Sequence, residues 1–207
     1  MTLPKLANLT LFDATDLIVV KRINDLSLTG REKWDHEDFR PIYRKIKQIL
    51  LTSQRQICYY CQKNLRDIDN DDWHIDHIVS IDEDDRHVFT EKNLVLACKW
   101  CNRRKNDKST LVKKLKTKAY SESSANYYIV HPRLDNYFDH IEIFSSIIYT
   151  GKTSKGERTC FDCNLKRFWL NYISGIKSED RAFTELVLHV LTTADRKLFE
   201  EFIKSYL

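Results

Sequence analysis

Glycine and proline are scarce in this chain, with four and three among 207 residues. That excludes long flexible linkers, and neither an internal repeat nor a low-complexity segment is present. Long apolar runs are missing too. Met1 to Thr10 carries one lysine and no hydrophobic stretch, and Leu17–Val20 is far too short to span a bilayer. A secretory leader and a membrane partner are therefore not expected, and a cytoplasmic setting with reduced thiols is. A strong net charge is also lacking: the balance is +4 at pH 7, which says little about partners. With 42% hydrophobic and 31% charged residues, the length suits one compact domain or two small ones.

The charge is unevenly distributed. Residues 67–85 hold nine Asp or Glu and no Lys or Arg, whereas residues 99–118 hold nine Lys or Arg and one Asp. An acidic rim beside a basic stripe suits a metal together with a polyanion, and equally two solvated faces.

The pattern predicts an α+β protein in three parts. Residues 1–56 read as helical, with a short helix from Leu17–Val20 to near Gly30. A second helix begins at 38–40, because Pro41 fits only a first turn. Phe39, Ile42, Tyr43, Ile46, Ile49 and Leu50 then recur three or four apart, giving one apolar face. Residues 57–118 form a central module. In 119–207 a polar connector (119–126) leads to candidate strands at Tyr127–Val130, Ile141–Phe144 and Ile147–Tyr149. A turn is expected over Gly151–Gly156, followed by an amphipathic helix over Leu165–Ile173 ending at Gly175. Two further helices are expected, from Ser178 or Asp180 to Leu191 and from Arg196 to Tyr206.

The central module carries the chemistry. Cys58-x-x-Cys61 and Cys98-x-x-Cys101 are two knuckle spacings, 36 residues apart. Zinc takes four soft ligands in a tetrahedron, and two such turns supply them. Four thiolates leave no open position, so this Zn²⁺ is expected to be structural. Cys160-x-x-Cys163 is a third pair but supplies only half a site; reduced cysteines at a strand-to-helix junction are expected there, with His131 or His140 as the residues able to complete a site.

Between the paired cysteines, His74-Ile75-Asp76-His77-Ile78 alternates as a strand and Asn93–Ala97 reads as an antiparallel partner. From Cys98 a basic helix is expected, carrying Lys99, Arg103, Arg104, Lys105, Lys108, Lys113 and Lys114. This order brings Asp76, His77 and Asn102 together. His74 lies on the strand face of Asp76, where it either touches metal or substrate or stays structural. His36 and His87, in polar surroundings, read as surface residues, and His189 as packed.

The string C-x-x-C, D-H-I, N-L-x-L-x-C-x-x-C-N-x-x-K, over about residues 57–108, resembles the HNH endonuclease family, whose core is the ββα-metal fold. The resemblance implies that Asp76 and Asn102 ligate a catalytic Mg²⁺ or Mn²⁺, that His77 is the general base and that Asn93 ties down the loop and orients the histidine. It also implies that Lys105, with Arg103 and Arg104, meets substrate phosphates. Ser80 stands where many members have proline, and the loop from Ile81 to Glu91 is acidic rather than glycine-rich. The implied activity is phosphodiester hydrolysis leaving 5′-phosphate and 3′-hydroxyl ends, on DNA by default and on tRNA as an alternative.

The stretch from His131 through Arg167 resembles, in order and in a few residues, the part following the motif in HNH subunits of Septu-type and retron-associated antiphage systems. That implies an ATPase partner, with Tyr137, Phe138 and Phe144 as interface or core aromatics. The contrasting reading is a non-catalytic, zinc-stabilised module that binds nucleic acid or protein.

Overall fold

The computed structural model describes residues 6, 9–65, 73–106, 108–114, 119–144 and 146–175. The two helices expected beyond Gly175, and His189, lie outside the described residues.

Helix α1 (Ala14–Asn24) starts on a capping box: Asp13 accepts from the backbone of Thr15 and Asp16, and Asp16 accepts from the backbone of Asp13. Thr29 and Glu32 form a second such box and open α2 (Gly30–Trp34). The expected single helix ending near Gly30 is therefore two helices, and Gly30 begins the second one. It must be glycine for a packing reason. A Cβ there would lie 2.6 Å from the Asp85 Cβ and 2.7 Å from the Ile81 Cγ2, so α2 seats directly on the loop after the first strand.

Helix α3 (Arg40–Ser53) has Pro41 in its first turn, as expected. Its buried stripe of Ile42, Ile46 and Leu50 packs on the central strands, each side chain contributing about 1.5–3 kcal/mol. Strands β1 (Trp73–His77) and β2 (Leu94–Cys98) pair antiparallel, with Asp76 opposite Val95 and His77 opposite Leu94. Helix α4 (Lys99–Lys105) follows without a linker. It is shorter than the basic run suggests, because the chain turns at Asn106 with φ 42°, a sign of φ that asparagine tolerates better than most residues.

After a one-turn helix α5 (Tyr137–His140), β3 (Ile141–Phe144) and β4 (Ile148–Gly151) form a separate hairpin. Tyr127–Val130 is not a strand. Tyr127 makes one isolated bridge to Leu111, and the Val130 amide donates instead to the Thr159 hydroxyl at 2.9 Å. Nor is Gly151–Gly156 only a turn, since α6 (Ser154–Asp162) starts within it. Gly156 lies inside α6 because a Cβ would sit 1.8 Å from the His140 carbonyl oxygen. Helix α7 (Arg167–Gly175) completes the described chain. No described helix is long and apolar enough to cross a membrane.

One hydrophobic cluster runs from Leu6 to Leu165 and takes in all three parts of the chain. Its polar stitch is Arg133, which is buried and donates to the carbonyls of Leu6, Leu9 and Glu91. The Glu91 carboxylate in turn accepts from the backbone of Leu11 and Phe12, both at 2.7 Å.

Candidate active site

The two cysteine pairs meet. The Sγ atoms of Cys58, Cys61, Cys98 and Cys101 all lie within 4.8 Å of one another, and all four residues are buried. A tetrahedral zinc with Zn–S bonds of about 2.3 Å requires sulfurs about 3.8 Å apart; Cys61 and Cys98 are at 3.9 Å. The surroundings suit anionic sulfur. The Cys98 amide donates to Cys58 Sγ, the Cys101 amide to Cys98 Sγ, and the Arg167 guanidinium to Cys101 Sγ at 3.1 Å. These residues fit a structural metal held by four thiolates. Arg167 comes from α7, far outside the cysteine motif, so spacing alone could not have found it. Cys160 and Cys163 sit at the end of α6, in a helix-to-helix rather than a strand-to-helix junction. Among the described residues no third ligand joins them.

Asp76, His77 and Asn102 line one cleft of about 220 Å³, together with Arg31, Ile75, Ser80, Ile81, Asp82 and Asn106. Strand β1 presents Asp76 and His77, and the second turn of α4 presents Asn102. The Asp76 carboxylate is nearly buried, with the Tyr60 hydroxyl donating to Oδ2 at 2.5 Å and the Lys105 ammonium 3.3 Å from Oδ1. Burial raises its pKa, opposed first by Lys105 and then by Tyr60. Asn102 contacts His74 Nδ1 through its amide nitrogen at 3.2 Å, which leaves its Oδ1 for the cleft. A carboxylate and an amide oxygen on one wall are hard donors of the kind Mg²⁺ or Mn²⁺ prefers, and each Asp76 oxygen keeps a spare lone pair. His74 is thus placed on Asn102.

His77 Nε2 lies 2.9 Å from the Val88 carbonyl oxygen. A carbonyl only accepts, so Nε2 carries the hydrogen and Nδ1 of the neutral ring keeps its lone pair. Burial holds the ring neutral, pushing its pKa down to about 4. The Trp34 ring meets it edge-on at 4.4 Å. Asn93 ties the Val88 loop to the end of β1. Its side chain accepts from the Val79 amide and donates to the carbonyls of Val79 and His87. Tyr120 donates to the same Asn93 oxygen, and His131 Nε2 lies 2.8 Å from the Tyr120 hydroxyl. His131 Nδ1 accepts from the Arg133 amide, so Nε2 is its donor and the series His131–Tyr120–Asn93 runs in one direction.

Three expectations move. Lys105 is fully buried and donates to the His77 carbonyl at 2.8 Å, so it braces the end of β1 and does not line the cleft. Arg103 and Arg104 are exposed on α4 but do not line the cleft. His87 is buried against Tyr120, not on the surface, because the single turn at Asp85–His87 rotates it inward. The acidic loop is also less bare than its sequence suggests: Asp82 pairs with Arg31, Asp84 with Arg86, and Glu83 accepts from the amides of Thr110 and Leu111. Tyr137 is core, with its hydroxyl on the Tyr60 carbonyl, and Phe138 and Phe144 are half-buried.

No curated protein and no solved structure matches the chain. Residues 58–108 match the family model described as HNH endonuclease. That span runs from the first zinc-type cysteine through both strands and α4, so the matched segment has the ββα order of that family and a cysteine cluster that fits its zinc-binding subtype, and a nuclease-type function in general is supported.

Proposed function

We propose that the protein is a metal-dependent endonuclease that hydrolyses phosphodiester bonds, with DNA as the default substrate and tRNA as the alternative. The observation that carries this is the shared cleft of Asp76, His77 and Asn102, with the unprotonated nitrogen of a neutral His77 fixed by the Val88 carbonyl.

The roles follow from the side chains. His77 Nδ1 takes a proton from the attacking water as the oxygen–phosphorus bond forms. Asp76 and Asn102 would hold the divalent cation, which when bound would supply charge relief on the leaving 3′ oxygen. Breakage of the phosphorus–O3′ bond leaves a 5′-phosphate, and the released O3′ takes a proton from solvent water to become the 3′-hydroxyl. Tyr60 and Lys105 fix the Asp76 carboxylate, and Asn93 fixes the loop that orients His77. With Zn²⁺ bound, the cysteine cluster would tie the Cys58–Cys61 turn to the junction of β2 and α4.

The resemblance of the C-terminal extension to antiphage HNH subunits supports the second part of the proposal, an effector of bacterial defence that works beside an ATPase. The cysteine framework with an inert cleft would instead be a binding module. Purified protein, with and without a co-expressed candidate ATPase, is incubated with plasmid DNA and with total tRNA, in Mg²⁺ or Mn²⁺ and then in chelator. We expect metal-dependent cleavage that His77→Ala lowers by about 10²–10⁴-fold while zinc content and circular dichroism stay unchanged. Equal cleavage by His77→Ala would sink the assignment, and no cleavage of either nucleic acid would favour the binding module.

A further inference from the structure

With Lys105 buried and Arg103 and Arg104 off the cleft wall, the question is which positive charge receives the substrate phosphate. Among the described lining residues of the cleft the only cation is Arg31. It comes from α2, outside the matched segment 58–108. It also lines a neighbouring hollow of about 540 Å³, which shares Arg31, Ile81 and Asp82 with the cleft. We propose that Arg31 is a substrate-binding residue, its guanidinium contacting a non-bridging oxygen of the phosphodiester that His77 and Asp76 face. The inference rests on the nuclease reading above.

Three observations place it there. First, Gly30 lets α2 lie against Ile81 and Asp85, with no room for even a methyl group. The next side chain is thereby delivered to the cleft mouth. Second, the same short helix sets Trp34 against the His77 ring, so α2 touches the expected base and lines the cleft at once. Third, Arg31 is held in advance by a two-point contact with Asp82, its Nε 3.0 Å from Oδ1 and its Nη2 on Oδ2. Both partners are largely exposed, with side chains 68% and 46% accessible. Such a pair is weak and screened by salt. Two non-bridging oxygens of a phosphodiester can accept from the guanidinium side by side as the Asp82 carboxylate does, so the phosphate can replace Asp82 with little reorganisation. The Arg31 guanidinium offsets the charge that builds on the phosphoryl oxygens during attack.

The competing role for Arg31 is structural, as a clasp between α2 and the loop. The two roles separate experimentally. Arg31→Ala, Arg31→Lys and Asp82→Asn are made in the full chain. Cleavage of plasmid DNA, or of tRNA if that is the substrate, is measured for kcat and KM. Metal-free binding of a short duplex (or of tRNA) is followed by fluorescence anisotropy over a salt series. Arg31→Ala should lower kcat by about 100-fold, Arg31→Lys should recover part of that, and Asp82→Asn should cost less than about 10-fold. Arg31→Ala should also lessen the slope of log K against log salt by about 0.9, the loss of one phosphate contact. Equal losses for Arg31→Ala and Asp82→Asn would establish the clasp and overturn the proposal, as would an unchanged rate and salt slope in Arg31→Ala. If the unmodified protein cleaves nothing, the nuclease reading fails separately; the salt slope still decides whether Arg31 meets phosphate.

Discussion

Lys105 offers the sharpest test of the buried architecture under the cleft. A surface lysine that meets substrate would be nearly neutral to stability when replaced, within about 0.5 kcal/mol. Lys105 is not of that kind. It is fully buried, with its ammonium 2.8 Å from the His77 carbonyl, 3.5 Å from the Ile78 carbonyl and 3.3 Å from Asp76 Oδ1. Lys105→Met keeps most of the stem volume and deletes only the charge. It leaves a buried carboxylate without its cation and two carbonyls short of a donor. Breaking such a pair from one side costs about 3–5 kcal/mol. For a chain of this size that is a fall of about 6–20 °C in midpoint, at about 2–4 °C per kcal/mol. The assay is thermal and urea unfolding followed by circular dichroism, with zinc retained and no magnesium or manganese added. Adding Asp76→Asn to Lys105→Met removes the stranded charge, so the double variant should recover about 1–3 kcal/mol relative to additivity. A Lys105→Met protein within about 1 kcal/mol of the parent, or strict additivity with Asp76→Asn, would refute the buried brace.

Two further outcomes follow from the same geometry. Arg167→Ala removes the guanidinium from Cys101 Sγ and should weaken zinc retention against a chromogenic chelator by about 10–100-fold, the usual cost of losing a group that supports a metal ligand; unchanged retention would mean that the contact is incidental. His131 is buried and its pKa is pushed down by desolvation to about 3. The unfolded chain takes up a proton near pH 6.5 while the folded chain does not, so stability present at pH 7 is lost as pH falls from about 6.5 towards 3. At pH 5 the loss is about 2 kcal/mol, and it should be missing from the difference between pH 7 and pH 5 in His131→Gln. Identical pH dependence in both proteins would show that the ring is protonated in the fold.

Much of the module was readable because its determinants are local. The C-x-x-C turns, the alternation through His74–Ile78 and the run Asn93–Ala97 each act over a few residues. Strand, loop, strand and helix then leave little freedom in how Asp76, His77, Asn93 and Asn102 meet. The residues that finish the site carry no local mark. Tyr60 reaches Asp76, Tyr120 reaches Asn93 and Arg167 reaches Cys101 only through tertiary packing. The resemblance directs Lys105 to a phosphate as one member of a basic run, whereas α4 turns this member inward onto the His77 carbonyl. Tyr127–Val130 has strand composition but no strand beside it: a neighbouring helix hydroxyl takes the Val130 amide that a ladder would use. Gly30 reads as the end of a helix and Gly156 as part of a turn, yet each is a point of close approach within a helix, Gly30 at the start of α2 and Gly156 inside α6.

Arg133 bears on whether the nuclease module is a portable part. Its guanidinium is shared among carbonyls from the first residues of the chain and from the turn just before β2, while its own backbone belongs to the extension. Cutting the chain down to the matched segment would leave the Glu91 carbonyl and carboxylate without their donors and would strip α3 from β2. Trimming the N-terminal flank alone would leave the buried Arg133 guanidinium without the Leu6 and Leu9 carbonyls. The familiar motif here is therefore less a cassette dropped into a host than the keystone of an arch, with Trp34 of one flank against the His77 ring and Tyr120 of the other on Asn93.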